Sequence, residues 1–401
     1  MRYWVYQALC EVILKGTYSN LYLKNHLHKV KEKDQALATN IFYGTIQNLS
    51  YCEYVWKQYT NSKTSNQVGI ILSMSVYQIL FLDKIPKYAI INEAIELTKK
   101  VQPKASGMVN AVLRKIDKDK IQYPSDPYMK LSVEYSLPVW LIKMWAKQYG
   151  DEKMREMVPY CNQSMPVYVR FNPNYKIETE YENVCGTLYK TNLNKISSLP
   201  LYSQGKISIQ DEGSYQICLF LDVEENMNVL DCCAAPGTKS MAIGELMHNT
   251  GHIDCIELHE HRKKLIEQDV KRLKLSNVSC FCKDARELDD FGLYDRVLCD
   301  VPCSGYGVLS RKPDIKLRMK PEDMDSLIPL QQQILESASK HLSEQGILVY
   351  STCTINKKEN EKQIEQFLKN HPDFECVEEK TIFPAFQTDG FYMAKLKRIR
   401  G

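Results

Sequence analysis

Asp300 and Cys303 stand in the segment Cys299-Asp-Val-Pro-Cys-Ser-Gly305, and Cys353 stands in Ser351-Thr-Cys-Thr354, each just after a short apolar run. Two thiols beside an acid, at what read as the ends of adjacent strands, can activate an electron-poor ring. Carbon 5 of a pyrimidine is too weak a nucleophile to attack a sulfonium methyl directly. A thiolate adding to carbon 6 turns the ring into an enamine-like species, and a carboxyl group near ring nitrogen 3 stabilises the charge that develops. A free cysteine ionises at about pH 8.5, so the attacking sulfur must be activated by its surroundings. The residues alone leave open which sulfur attacks, and each taken singly reads more readily as a buried structural cysteine.

A second group of residues points to a nucleoside. In Asn228-Val-Leu-Asp231-Cys-Cys-Ala-Ala-Pro-Gly237-Thr-Lys239 an apolar strand runs into a turn of small residues and then a helix starting near Thr238. Small residues let the backbone approach a ligand, and the helix start offers unpaired N–H donors. The glycine spacing is neither that of a dinucleotide fingerprint nor that of a Walker loop. Glu257 ends the next strand, where a carboxylate can accept from two ribose hydroxyls. Asp284, in Cys282-Lys-Asp-Ala-Arg286, follows the third strand and could accept from an adenine amino group. Asp231, Glu257 and Asp284 at successive strand ends suit adenosine. The lack of a phosphate-gripping loop favours S-adenosylmethionine over NAD or ATP.

These residues require a scaffold of alternating strands and helices. From about residue 211, apolar runs at 229–231, 253–258, 278–281, 296–300 and 347–351 are separated by helical stretches such as 260–273 and 326–342. That alternation predicts a mainly parallel, doubly wound sheet with ligands beyond the carboxyl ends of its strands. Residues 125–137 read as a linker, followed by helices at 138–149 and up to 160 and by strands at 167–171 and 205–210. The first 124 residues carry helical periodicity at 4–13, 35–49, 68–82, 89–101 and 107–116. Within them Gly44 and Gly107 suit close helix contacts. The expected organisation is an all-helical domain over 1–124, linker helices and a small α+β subdomain over 125–210, and a catalytic domain over 211–401.

The chain has 401 residues, 44% of them hydrophobic and 25% charged, which excludes global disorder and a collagen-like fibre. No apolar run reaches the roughly 18 residues of a membrane span, and Ser73, Ser75 and Gln78 interrupt the stretch 68–82. The opening residues lack the basic, apolar, small-residue order of a signal peptide. Fourteen cysteines without C-x-x-C spacing predict reduced thiols, a cytoplasmic location and no metal. Net charge is +3, but residues 1–125 hold 17 Lys and Arg against 9 Asp and Glu. A cluster at Lys24, His26, His28, Lys29, Lys31 and Lys33 would attract a polyanion, nucleic acid above all.

Taken in order, DCCAAPGTK, DVPCSG, RKPDIK and STCT resemble the motifs of RNA (cytosine-5)-methyltransferases of the RsmB/Sun type. Tyr43–Thr45, YQILFLDKIP, INEAIEL and VNAVLRKI resemble the NusB-like RNA-binding domain of that branch. Ile209-Gln-Asp211 and the segment Gly390 to Leu396 also match. The resemblance implies a Rossmann-like α/β S-adenosylmethionine-dependent methyltransferase domain, preceded by an all-α NusB-like domain. Cys233, Ala234, Ala235, Pro236, Gly237, Thr238 and Lys239 would cradle the methionine moiety of the cofactor. Glu257 would hold the ribose, Asp284 the adenine, and Asp300 would lie between cofactor and target base. It makes Cys353 the nucleophile and gives Cys303 a part in releasing the product. The implied substrate is small-subunit ribosomal RNA, at cytosine 967 of 16S rRNA in the family's own numbering, acted on by a monomer. Methylation of an exocyclic nitrogen would call for an Asp/Asn-Pro-Pro-aromatic strand end instead of Asp300-Val-Pro-Cys303. An RNA-binding factor with a decayed catalytic half should have lost some of these polar groups.

Overall fold

The computed structural model describes residues 1–399 except Ser62 and Asn194. They form two compact units, Met1–Gln163 with Leu309–Met319, and Ser164–Val308 with Lys320–Gly401.

In the first unit, helices Arg2–Lys15, Glu32–Gln47, Leu49–Lys57, Asn66–Phe81, Lys87–Val101 and Ser106–Lys115 surround a core that includes Leu9, Ile41, Phe42, Val55, Ile71, Leu72 and Val109. Asn66–Phe81 buries residues on every face, from Val68 to Leu80, as a helix at the centre of a bundle must. Its start is capped by the Ser65 hydroxyl, which accepts from the Val68 amide. Gly44 lets two helices meet closely, since a Cβ there would lie 1.9 Å from the Tyr77 ring. Gly107 has no such neighbour, so the close contact expected of it is not made.

The stretch 125–137 contains a helix, Pro127–Glu134. Proline at the first helical position loses no hydrogen bond, and the Asp126 side chain accepts from the Met129 amide at 2.7 Å. The segment 125–210 is therefore divided. Its helices, through Val139–Tyr149 and Asp151–Met157, belong to the helical unit, and its strands belong to the other. The RKPDIK segment lies within Leu309–Met319 and packs in the helical unit. Asp314 accepts from the Ser19 hydroxyl at 3.0 Å, and Leu317 adds to the apolar core.

The second unit begins with an antiparallel sheet of β1 (Val167–Phe171), β2 (Glu182–Cys185), β3 (Leu188–Thr191) and β4 (Ile207–Ile209), in the order β2-β3-β1-β4. Seven further strands form the main sheet: β5 (Asn228–Asp231), β6 (His252–Glu257), β7 (Val278–Cys282), β8 (Tyr294–Asp300), β9 (Leu342–Thr352), β10 (Phe374–Ile382) and β11 (Phe391–Arg398). Their order is β10-β11-β9-β8-β5-β6-β7. β7, β6, β5, β8 and β9 pair in parallel, and β11 joins β9 antiparallel. The antiparallel hairpin of β10 and β11 closes one edge. The chain runs outward from β5 to β7 and returns to β8 on the other side, which makes the ends of β5 and β8 the topological switch point.

Arg170 of β1, 1% exposed, donates to Glu245 at 2.7 Å and to the Thr238 carbonyl at 3.1 Å. It thereby braces the helix Thr238–Leu246 that follows β5. Among the described residues no helix is long and apolar enough to cross a membrane.

Candidate active site at the strand ends

The loop 232–237 leaves β5 and enters the helix Thr238–Leu246. Gly237, at φ 103°, takes the left-handed turn that admits the helix, a conformation any side chain would strain. Asp231 points into the loop. It accepts from the Ser240 hydroxyl at 2.6 Å and from the Cys233 amide at 3.3 Å, and burial pushes its carboxyl up to about 6. Asp231 thus shapes the cradle from behind, where the acid series in the sequence suggested a ligand-facing group. The Cys233 thiol is pushed well above its ordinary value, first by burial, with the neighbouring acids Asp231, Asp300 and Glu257 adding to it, which makes it inert. Ala234, Ala235, Pro236 and Gly237 offer backbone and little bulk, as a cradle for the S-adenosylmethionine methionine moiety requires.

Glu257, buried at the end of β6, accepts from the His259 amide at 2.9 Å and lies 3.5 Å from Arg262, which in turn donates to the Ala235 carbonyl. This links the second strand end to the first loop. Asp284 after β7 is clasped by its own neighbour: Arg286 donates at 3.0 and 3.1 Å from Nε and at 2.6 Å from Nη2. That clasp holds the Asp284 carboxyl below the usual range.

The expected reactive groups come together beyond β5, β8 and β9. Asp300, which pairs in register with Ser351 across the ladder, accepts from the Ser351 hydroxyl at 2.7 Å. On its other oxygen it receives the Lys239 ammonium at 2.6 Å. Burial works against that ammonium, but Asp300 outweighs it and raises the Lys239 pKa, with the sulfurs of Cys218 and Cys353 adding to the effect. Cys303 and Cys353 face each other with sulfurs 3.4 Å apart. The hydrogen bond to Cys353, then burial, push the Cys303 thiol well above its ordinary value, which keeps Cys303 a thiol.

The sequence reading placed Lys239 only in the cofactor loop and gave no role to Ser304, Ser351 or Glu359. Lys239 has a signal in hindsight: in the first turn of the helix that follows a strand and its loop, a lysine can reach the neighbouring strand end. The other three are ordinary polar residues whose meaning depends on the partner they meet.

Residues 218–397 match the family model for 16S rRNA methyltransferase RsmB/F, and residues 1–118 match the NusB family. The probable ribosomal RNA small subunit methyltransferase B of Bacillus subtilis (strain 168) is 34% identical over 98% of this chain and 97% of its own length. The crystal structure of PH0851 superposes over 98% of both chains with a TM-score of 0.82 at 25% identity. That of NSun6 from Pyrococcus horikoshii with SFG covers 66% of this chain and 99% of its own, with a TM-score of 0.57 at 20% identity, and shows a shared fold.

Proposed function

Because this chain belongs to the family of ribosomal RNA small subunit methyltransferase B, an S-adenosylmethionine-dependent family of rRNA methyltransferases, we propose that it methylates carbon 5 of a single cytosine in 16S rRNA, the family's own target, through a covalent bond between Cys353 and carbon 6. The observation that carries this reading is the meeting of Cys303 and Cys353, 3.4 Å apart, beside the Lys239–Asp300 pair. Bound S-adenosylmethionine supplies an electrophilic methyl group.

In this reading the base leaves its stack to reach the strand ends. Lys239 favours the thiolate form of a nearby sulfur, and Cys353 adds to carbon 6. The electrons of the ring double bond move onto carbon 5 and toward nitrogen 3, where Asp300 and Lys239 hold the proton that neutralises them. Once carbon 5 has gained its methyl group, a water molecule takes the proton of that carbon. The bond between sulfur and carbon 6 breaks with its electrons on sulfur, the ring double bond re-forms, and nitrogen 3 returns its proton to the Lys239–Asp300 pair. Cys303, held as a thiol, can hand its proton to the departing Cys353 sulfur. The cradle at 233–239 holds the methionine part of the cofactor and Glu257 its ribose. Asp284 can meet the adenine only in competition with Arg286. The helical domain and its exposed lysines hold RNA through phosphates.

The test is nucleoside analysis of 16S rRNA incubated with the protein and labelled S-adenosylmethionine, with Cys353→Ala and Cys303→Ala alongside. The wild type should yield 5-methylcytosine, Cys353→Ala none with cofactor binding retained, and Cys303→Ala a protein–RNA adduct that survives denaturation. Label in an N-methylated purine, or undiminished turnover by Cys353→Ala, would overturn the proposal.

A further inference from the structure

Glu359 is fully buried, yet it makes no ion pair with a cation among the described residues. Its carboxylate is instead surrounded by donors from the loops of the site. Oε2 accepts from the Ser304 amide at 2.9 Å and from Gln331 at 3.0 Å. Oε1 accepts from the Ser304 hydroxyl at 2.5 Å and from Asn356 at 2.9 Å. The Ser304 hydroxyl also meets the Thr354 hydroxyl at 2.7 Å. Ser304 directly follows Cys303 and Thr354 directly follows Cys353, so the two cysteine loops share one buried anchor.

Two donors converge on each of its oxygens, so the side chain is held from four sides by groups of both loops and of Gln331. We propose that Glu359 is a positioning residue for product release, fixing the Cys303 loop so that its thiol stays against the Cys353 sulfur. This inference rests on the release role given to Cys303 above. The charge of Glu359 also contributes to raising the Cys303 thiol, which keeps a proton on that sulfur for transfer.

Glu359→Gln keeps the shape but turns an NH2 donor toward other donors, so the anchor should come loose. We expect turnover to fall at least about tenfold, with single-turnover methyl transfer within about threefold of wild type and a denaturation-resistant adduct accumulating. Glu359→Asp should restore part of the turnover. Adding Glu359→Gln to Cys303→Ala should slow release no further than Cys303→Ala alone, because residues acting through one another are not additive. A pair of effects that multiply, or a Glu359→Gln enzyme without adduct, would overturn the inference. If Glu359→Gln fails to fold, Ser304→Ala tests the same anchor from the loop side and should show adduct in smaller amount; none would count against it. Failure of Cys303→Ala itself to form adduct would mark the failure of the underlying release role.

Discussion

Lys239 and Lys316 are both half-buried lysines, one in each unit, and their surroundings push them in opposite directions. The Lys239 ammonium lies 2.6 Å from Asp300 and is held charged beyond its ordinary range. Among the described residues Lys316 meets only neutral oxygens, the carbonyls of Gln47 at 3.3 Å and Tyr135 at 3.4 Å and the side chain of Asn162, and desolvation lowers its pKa to about 7. Neutral acceptors satisfy the N–H groups without supplying the countercharge that offsets lost hydration. The contrast separates a cation proposed to stabilise charge on a substrate from one that ties segment 309–319 to its own unit.

Breaking the charged pair should have the largest effect. Asp300→Asn leaves the half-buried Lys239 without a countercharge and removes the group proposed to face the base. Turnover should drop by on the order of 10²–10⁴, the range of a lost general acid, and stability should fall by about 3–5 kcal/mol. Methylation kinetics and denaturant unfolding measure the two. Near-normal turnover would mean that Lys239 serves, like Lys316, only to hold the fold.

How far this contrast could be read in advance depends on what kind of information each residue carries. The parallel strands were legible because each is a compact apolar run, and β6, β7 and β8 lie within two residues of their expected limits. The β10–β11 hairpin was not, because solvent-facing strands such as β10 are rich in Glu and Lys and carry little apolar signal. Helix Pro127–Glu134 was masked by a proline that looks like a break and acts as a helix start. Among the cysteines, Cys255 stands opposite Cys280 on β6 and β7, a juxtaposition as intimate in register as that of Asp300 and Ser351. Position separates this pair from Cys303 and Cys353: the latter stand just past their apolar runs and the former inside theirs, which the sequence shows. The ion pair of Lys239 and Asp300 beside the two reactive sulfurs arises only from the folded sheet. Lys316 was quoted within a motif, but its burial is a property of long-range packing.

Lys239→Met should have an intermediate effect. Asp300 without its ammonium keeps the Ser351 hydrogen bond but loses the charge proposed to assist addition. We expect turnover to fall by about 10²-fold, and the double variant with Asp300→Asn to be no worse than Asp300→Asn alone, since the two act as one unit. Additive losses would show that the lysine acts independently of the aspartate.

The smallest effect, and the sharpest on the contrast itself, is a pH dependence at Lys316. Its pKa is about 7 in the folded chain and about 10.4 when unfolded. Between those values the unfolded state binds more protons than the folded one, so stability should rise with pH. The cost of burying the charge is fully present below pH 7 and is relieved as the ammonium loses its proton. From pH 7 to pH 9 the gain should be about 2 kcal/mol. Other groups titrate in the same range, so the quantity to measure is the stability of wild type minus that of Lys316→Met across this window. That difference should rise with pH, whereas the raised pKa of Lys239 predicts no slope for Lys239→Met until the pH passes the ordinary lysine value, and then a loss of stability in the wild type. A flat difference for Lys316→Met would show that its three oxygen partners hold the ammonium charged after all, and the two lysines would then differ only in function.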